Sequence, residues 1–175
     1  MNKLKAFFIL SGYQITWFAC ILGEKIYTSP LMGFFTGLAF VLIYFYYVIE
    51  KSRFIFIILS IAIPGYLFDS LVVYFNIYDF NSNLKIGLLP IWMLILWLSF
   101  AILFDEVLFF LKNFKIPGIF LSALLGPLTY YLGEPLGIIK INNLTIFIIV
   151  MIIFWSLLMY FYLEIIIKKY NYSVV

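Results

Sequence analysis

The sequence has no histidine, a single cysteine and only 11% charged residues, and each shortage removes a class of chemistry. Without an imidazole there is no ligand or base for His-box iron desaturases, HExxH membrane zinc proteases, Ser-His proteases or His-Asp acyltransferases. No Asp-rich diphosphate-binding motif, Gly-rich phosphate loop or cysteine pair for a metal occurs either. Neither a metal nor a cofactor is therefore expected. The lone Cys20 cannot build a disulfide framework, and inside an apolar run it reads as a small packing residue. Trp17, Phe18 and Ala19 precede it, instead of the small or aliphatic residues of a lipoprotein signal, so no lipid anchor is expected there.

What the chain has in excess is hydrocarbon. Hydrophobic residues make up 66% of it, against about 45–50% in an ordinary soluble domain. Apolar runs fall at about residues 6–23, 30–49, 54–78, 89–111, 117–139 and 145–167. Each is close to the roughly 20 residues that cross a bilayer as a helix. Barrel strands would alternate over about ten residues instead. The expectation is an all-α polytopic membrane protein, a six-transmembrane-helix bundle forming one integral domain over residues 1–175. Lys3 and Lys5 before the first run imitate a signal peptide, but Gly12, Gln14 and Thr16 interrupt its apolar core. With no small-x-small cleavage site, a retained first helix is expected.

Charge sets the orientation. With six spans, Lys3, Lys5, Lys51, Arg53, Lys112, Lys115, Lys168 and Lys169 fall on one side, leaving Lys25, Lys85 and Lys140 on the other. The positive-inside rule then puts both termini in the cytoplasm. The pI near 8.9 is thus a topology signal, and no aromatic-interleaved basic patch points to nucleic acid. Pro64 and Pro127 are interior to their runs, where kinks or local unwinding are expected.

Polar residues inside the runs are the candidate site. Asp69 lies about nine residues from the outer end of the third run, roughly 13 Å at 1.5 Å per residue and hence near mid-membrane. A carboxylate there costs about 2.5–3.5 kcal/mol on insertion scales, so something compensates it. Tyr66, Asp69, Ser70 and Asn76 follow helical spacing and give this helix one polar stripe. Two readings stand side by side: a protonated Asp69 acting as interhelical glue, or a substrate, ion or proton site. Gln14, beside Tyr13 at similar depth in the first helix, is the expected neutral partner of Asp69, with Trp17 three residues on.

The fifth run carries Gly118, Ser122 and Gly126 four apart, a ridge of small residues that lets a neighbouring helix approach. Beyond it "GPLTYYLGEPLG" at 126–137 places Tyr130 and Glu134 on one face, and Gly133 and Gly137 permit a turn. An interfacial helix end explains the same stretch more simply. Trp92 stands at the mouth of the fourth helix, in the outer half with Tyr130 and Glu134. Asp105 and Glu106 diverge by about 100° around their helix, so snorkelling or pairing with Lys112 or Lys115 is expected of them. Glu24, Glu50 and Glu164 lie at run ends beside lysines and need no special role.

Four stretches, "GYQITWFACILG" at 12–23, "GYLFDS" at 65–70, "LPIWMLILWLSFA" at 89–101 and "GPLTYYLGEPLG" at 126–137, resemble a bacterial inner-membrane family catalogued as domain of unknown function 2878. The resemblance implies a small multi-helix bacterial membrane protein without an assigned activity. Its pattern positions here are Gln14, Trp17, Asp69, Pro90, Trp92, Trp97, Gly126, Pro127, Tyr130 and Gly133.

The reading that follows is a binding or transport component with an outer-half pocket for a small amphiphilic molecule or lipid. Trp17, Trp92, Trp97 and Tyr130 would form its walls, and Gln14, Tyr66, Asp69 and Glu134 its polar groups. Size and helix count are similar to those of substrate-capturing subunits of energy-coupling vitamin transporters, an analogy of fold that would bring an ATPase partner. An intramembrane lipid-modifying enzyme using Asp69 or Glu134 as acid/base, and a structural or assembly factor, are the alternatives.

Overall fold

The computed structural model describes residues 3–167 and 169, and of Asp105 the backbone alone. Lys168, counted in the charge argument, lies outside the described residues. The chain is mostly helical, with α1 (Lys3–Tyr27), α2 (Pro30–Tyr47), α3 (Lys51–Tyr74), α4 (Ile91–Glu106), α5 (Lys115–Tyr131) and α6 (Leu144–Phe161). Among the described residues four stretches, α1, α2, α3 and Leu144–Ile166, are long and apolar enough to cross a membrane, and Ile91–Phe104 is a shorter apolar helix.

Three helices stop short of their apolar runs, for local reasons. The third run was expected to reach residue 78, but Asn76 adopts φ 55. Asn76 N–H bonds Val73 O, and Ile77 N–H bonds Val72 O, the paired bonds of a Schellman stop. In the fourth run the α-helix ends at Glu106 and Leu108–Asn113 tightens to a 3-10 helix, as helix C-termini often do. The fifth run was expected to reach 139. Its helix ends at Tyr131, and a turn with Gly137 at φ 75 follows. Both interior prolines are tolerated: α3 and α5 continue through Pro64 and Pro127 without local unwinding.

Short strands, unexpected from the apolar runs, use the ends thus released. β1 (Tyr78–Phe80) pairs antiparallel with β4 (Ile139–Ile141), matching Tyr78 to Ile141 and Phe80 to Ile139. β2 (Lys85–Ile86) and β3 (Leu89–Pro90) make a hairpin, whose two-residue loop begins with Gly87 at φ 63, a conformation that suits such loops.

Contacts gather into two units. Unit 1 contains the chain through Leu71 together with Ser82–Leu108; unit 2 contains Val72–Asn81 and the chain from Phe109 onward. In unit 1 the backbones of α1, α2 and α4 come close because small residues meet there. A Cβ added at Gly33 would lie 2.5 Å from Cys20 Cα, and one at Gly37 would lie 2.8 Å from both Ile95 and Thr16. Cys20 is fully buried in this junction, in the packing role its sequence context implies. In unit 2, α5 buries Gly118, Ser122, Gly126 and Pro127 and packs on α6, as the small-residue ridge predicts. The Asn143 side chain caps α6 by accepting from Ile146 N–H at 3.1 Å.

Large apolar side chains remain exposed along these helices, among them Phe7, Ile15, Phe35, Leu67, Phe120 and Leu157. Helices that leave so many large apolar side chains exposed suit acyl chains as solvent.

Candidate functional site

Asp69 is fully buried, and Trp97 Nε1 donates to its Oδ2 at 2.7 Å. Gly65 makes this bond sterically feasible. One turn earlier on the same face of α3, its missing side chain leaves the space the indole occupies: a Cβ there would fall 2.3 Å from the Trp97 ring. Gly65 is therefore the floor of a seat and Asp69 its acceptor.

Trp92, five residues before Trp97, is rotated from it by about 140° around α4 and turns to a different neighbour. Its Nε1 donates to Glu24 Oε2 at 2.7 Å, and Ser82 Oγ donates to the same oxygen at 2.9 Å. Glu24 is only 8% exposed. The expectation that it needs no special role is thus corrected. The signal was present: the buried face of α1 runs through Thr16, Ala19, Cys20 and Gly23, and helical spacing carries it on to Glu24.

The segment from Ser82 to Pro90 is tied over this end of unit 1. Ser82 holds it to α1, and Tyr66 OH on α3 donates to Ile86 O at 2.9 Å. Within the segment, Ile91 N–H bonds Leu84 O at 3.1 Å. Tyr66 thus acts through its hydroxyl on a loop carbonyl, and Ser70 Oγ bonds back to Tyr66 O at 2.8 Å. Asn76, expected in the same stripe, is exposed, and Asn142 Nδ2 donates to its side-chain oxygen at 2.8 Å.

Other candidates are placed differently. Gln14 is exposed, so the place predicted for it beside Asp69 belongs to Trp97, because α1 turns Thr16 and Cys20 inward instead. Trp17 is half-buried and stacks edge-on with Phe18. Tyr130 and Glu134 belong to unit 2. There the Tyr130 ring lies 5.7 Å from that of Tyr78, and Glu134 Oε1 accepts from Ile141 N–H at 2.9 Å. That bond pins the turn after α5 to β4. The "GPLTYYLGEPLG" stretch therefore divides into a packing ridge for α6 and a carboxylate-braced turn.

The acids at the other ends of the helices find lysines, though not those expected. Glu106 pairs with Lys5 and accepts from Tyr44 OH at 2.7 Å. Lys112 lies 4.1 Å from the Phe109 ring, and Lys115 pairs with Glu164. Pairing of Glu106 with Lys112 or Lys115 is thus corrected: the helix ends at Glu106, so the following lysines do not continue its face. The Asp105 side chain lies outside what is described. Among the described residues no group of three or more Cys, Asp or Glu is placed to hold a metal ion.

The arrangement has two buried carboxylates, each oriented by an indole N–H from one helix. No curated protein and no solved structure matches the chain. Residues 7–161 match the model of a family described as "Protein of unknown function (DUF2878)". That span includes Glu24, Asp69, Trp92 and Trp97 and all four stretches quoted above. It covers most of the 175 residues, and the chain belongs to this family.

Proposed function

We propose that the chain spans the bacterial inner membrane six times with both termini in the cytoplasm, and that unit 1 binds a small amphiphilic molecule or lipid for transport. The polar end of that molecule meets Glu24 and Asp69, and its apolar part lies on Trp92 and Trp97. An ATPase or another membrane protein is the partner this reading calls for. The basic-residue asymmetry supports the orientation. Contacts of Lys5 and Tyr44 with Glu106 support the same alternation inside unit 1, since they bring the start of α1, the end of α2 and the end of α4 together.

The pair of indole-held carboxylates carries the proposal. Ionisable groups within membrane segments are costly and mark functional sites by default. Indole and hydroxyl donors orient a carboxylate without cancelling its charge, and at Glu24 both Trp92 and Ser82 are such donors. The tied segment from Ser82 to Pro90 suits a cover over that end.

The test is thermal melting of the purified protein against a panel of lipids and small amphiphiles, because a ligand bound only by the native state raises Tm. At least one compound is expected to raise the Tm of the wild type and to lose that effect in Glu24→Gln or Asp69→Asn. If every stabilising compound kept its full effect in both variants, the reading would sink. Reporter fusions are expected to place 51–53 and 112–116 in the cytoplasm and 79–88 outside; a reporter at 112–116 active only outside would reverse the orientation.

The complete burial of Asp69 under Trp97 favours a second reading, in which the couple is interhelical glue. It predicts that no compound's effect on Tm depends on Glu24 or Asp69 and that Trp97→Phe alters stability alone.

A further inference from the structure

At the end of unit 1 opposite Glu24, the start of α1 and the end of α2 enclose an open groove of ≈ 310 Å³. Its lining comprises Leu4, Phe8, Ile9, Tyr44, Tyr47 and Val48, with Lys5 as the one charged side chain. The volume is at the lower edge of the roughly 300–1,000 Å³ of small-molecule sites.

The charges at its edge are arranged asymmetrically. The Glu106 side chain is 19% exposed and is held by Lys5 and Tyr44, whereas the Lys5 side chain is 47% exposed. The carboxylate is turned inward and the ammonium outward. An ammonium has three donor hydrogens, so pairing with Glu106 leaves capacity for a second acceptor. Lys3, two residues before Lys5, and Lys51, three residues beyond Val48 and over the Phe45 ring, are exposed as well, and among the described acids Glu50 is exposed near them in the chain. An apolar groove beside an outward-facing ammonium complements an acyl chain with an anionic head.

We infer that this groove is a binding site for an anionic phospholipid, with an acyl chain along Leu4, Phe8 and Val48 and the headgroup phosphate on Lys5. The site is separate from the indole-held acids, and its occupancy does not depend on what they bind. A lipid there would bridge α1 and α2 at their open ends, where the two helices lack the short connection that joins them after Tyr27.

Native mass spectrometry of the delipidated full chain, given equal amounts of phosphatidylglycerol and phosphatidylcholine, tests it. The wild type is expected to retain phosphatidylglycerol preferentially. Lys5→Gln should lower that retention about fivefold, the effect of one basic side chain at an anionic headgroup. Val48→Trp fills the groove while leaving the Lys5 pair with Glu106 in place, and should remove the preference; Lys140→Gln, on β4, should not change it. Val48→Trp decides the matter should Lys5→Gln fail to fold. Equal retention of the two lipids by the wild type, or undiminished phosphatidylglycerol in Val48→Trp, would overturn the site. So would stabilisation by inorganic phosphate alone, which would assign Lys5 to a free anion.

Discussion

Two tryptophans sit on two glycines in this protein, and the seats differ in what stands beside them. In unit 1 Trp97 covers Gly65, and in unit 2 Trp155 covers Gly126; a Cβ at either glycine would fall 2.3 Å from the indole. One turn from Gly65 stands a carboxylate, Asp69, which takes the indole hydrogen. One turn from Gly126 stands a hydroxyl, Ser122, which donates to the Trp155 backbone carbonyl at 3.1 Å. The same steric device positions an ionisable group in one place and brings two backbones together in the other. A glycine under a tryptophan therefore reports close packing; the residue a turn away decides whether the contact also holds chemistry.

The largest expected effect removes both seats alike. Gly65→Leu and Gly126→Leu each force a side chain into an occupied volume, which costs about 1–3 kcal/mol or more, and both should lower Tm strongly in the same detergent. If one were tolerated, the two seats would not be equivalent in packing. Next comes the change that separates them. Asp69→Leu takes the acceptor from a buried indole N–H, at about 1–3 kcal/mol, whereas Ser122→Ala should cost only about 0.6 kcal/mol, the usual worth of such a bond between membrane helices. Equal losses in denaturation curves would mean that the carboxylate is placed no more tightly than the hydroxyl.

A smaller effect concerns the loop. Ser82→Ala removes one of the two donors to Glu24 and should cost about 0.5–1.5 kcal/mol, seen as faster amide exchange confined to residues 82–90. Exchange that rises equally in β4 would dissociate the loop from that bond. A small change in stability is also expected for Asp69→Asn, whose side-chain oxygen still accepts from Trp97. Its unfolding free energy should stay within about 1 kcal/mol of wild type while the ligand-induced rise in Tm disappears. A variant as responsive as wild type would make the two seats alike in function as well as in packing.

Much of this was legible in one dimension. Apolar runs marked all six helices, and the Gly118, Ser122, Gly126 spacing identified a packing ridge, because both signals depend only on local period; that α6 is what packs on it came from the tertiary structure. Asp69 was legible as a burdened residue because a carboxylate in hydrocarbon is costly wherever it occurs. Its partner was not. Gln14 was expected at its depth, and only the rotation of α1 and α4 about their axes, set by glycine contacts, gave the place to Trp97. Glu24 was misjudged for the opposite reason: proximity to Lys25 suggested a solvated end, whereas Trp92 and the returning Ser82 enclose it. The short strands were missed because two or three residues carry too little periodicity to register.

The amino-acid sequence by itself determined the solvent and the helices, since transfer of each side chain into lipid is a property of composition along a single segment. Tertiary structure alone decided which indole each acid receives and which glycine each indole covers. Those pairings depend on how whole helices turn and slide against one another, and that freedom is removed only when all of their small and large residues interlock at once.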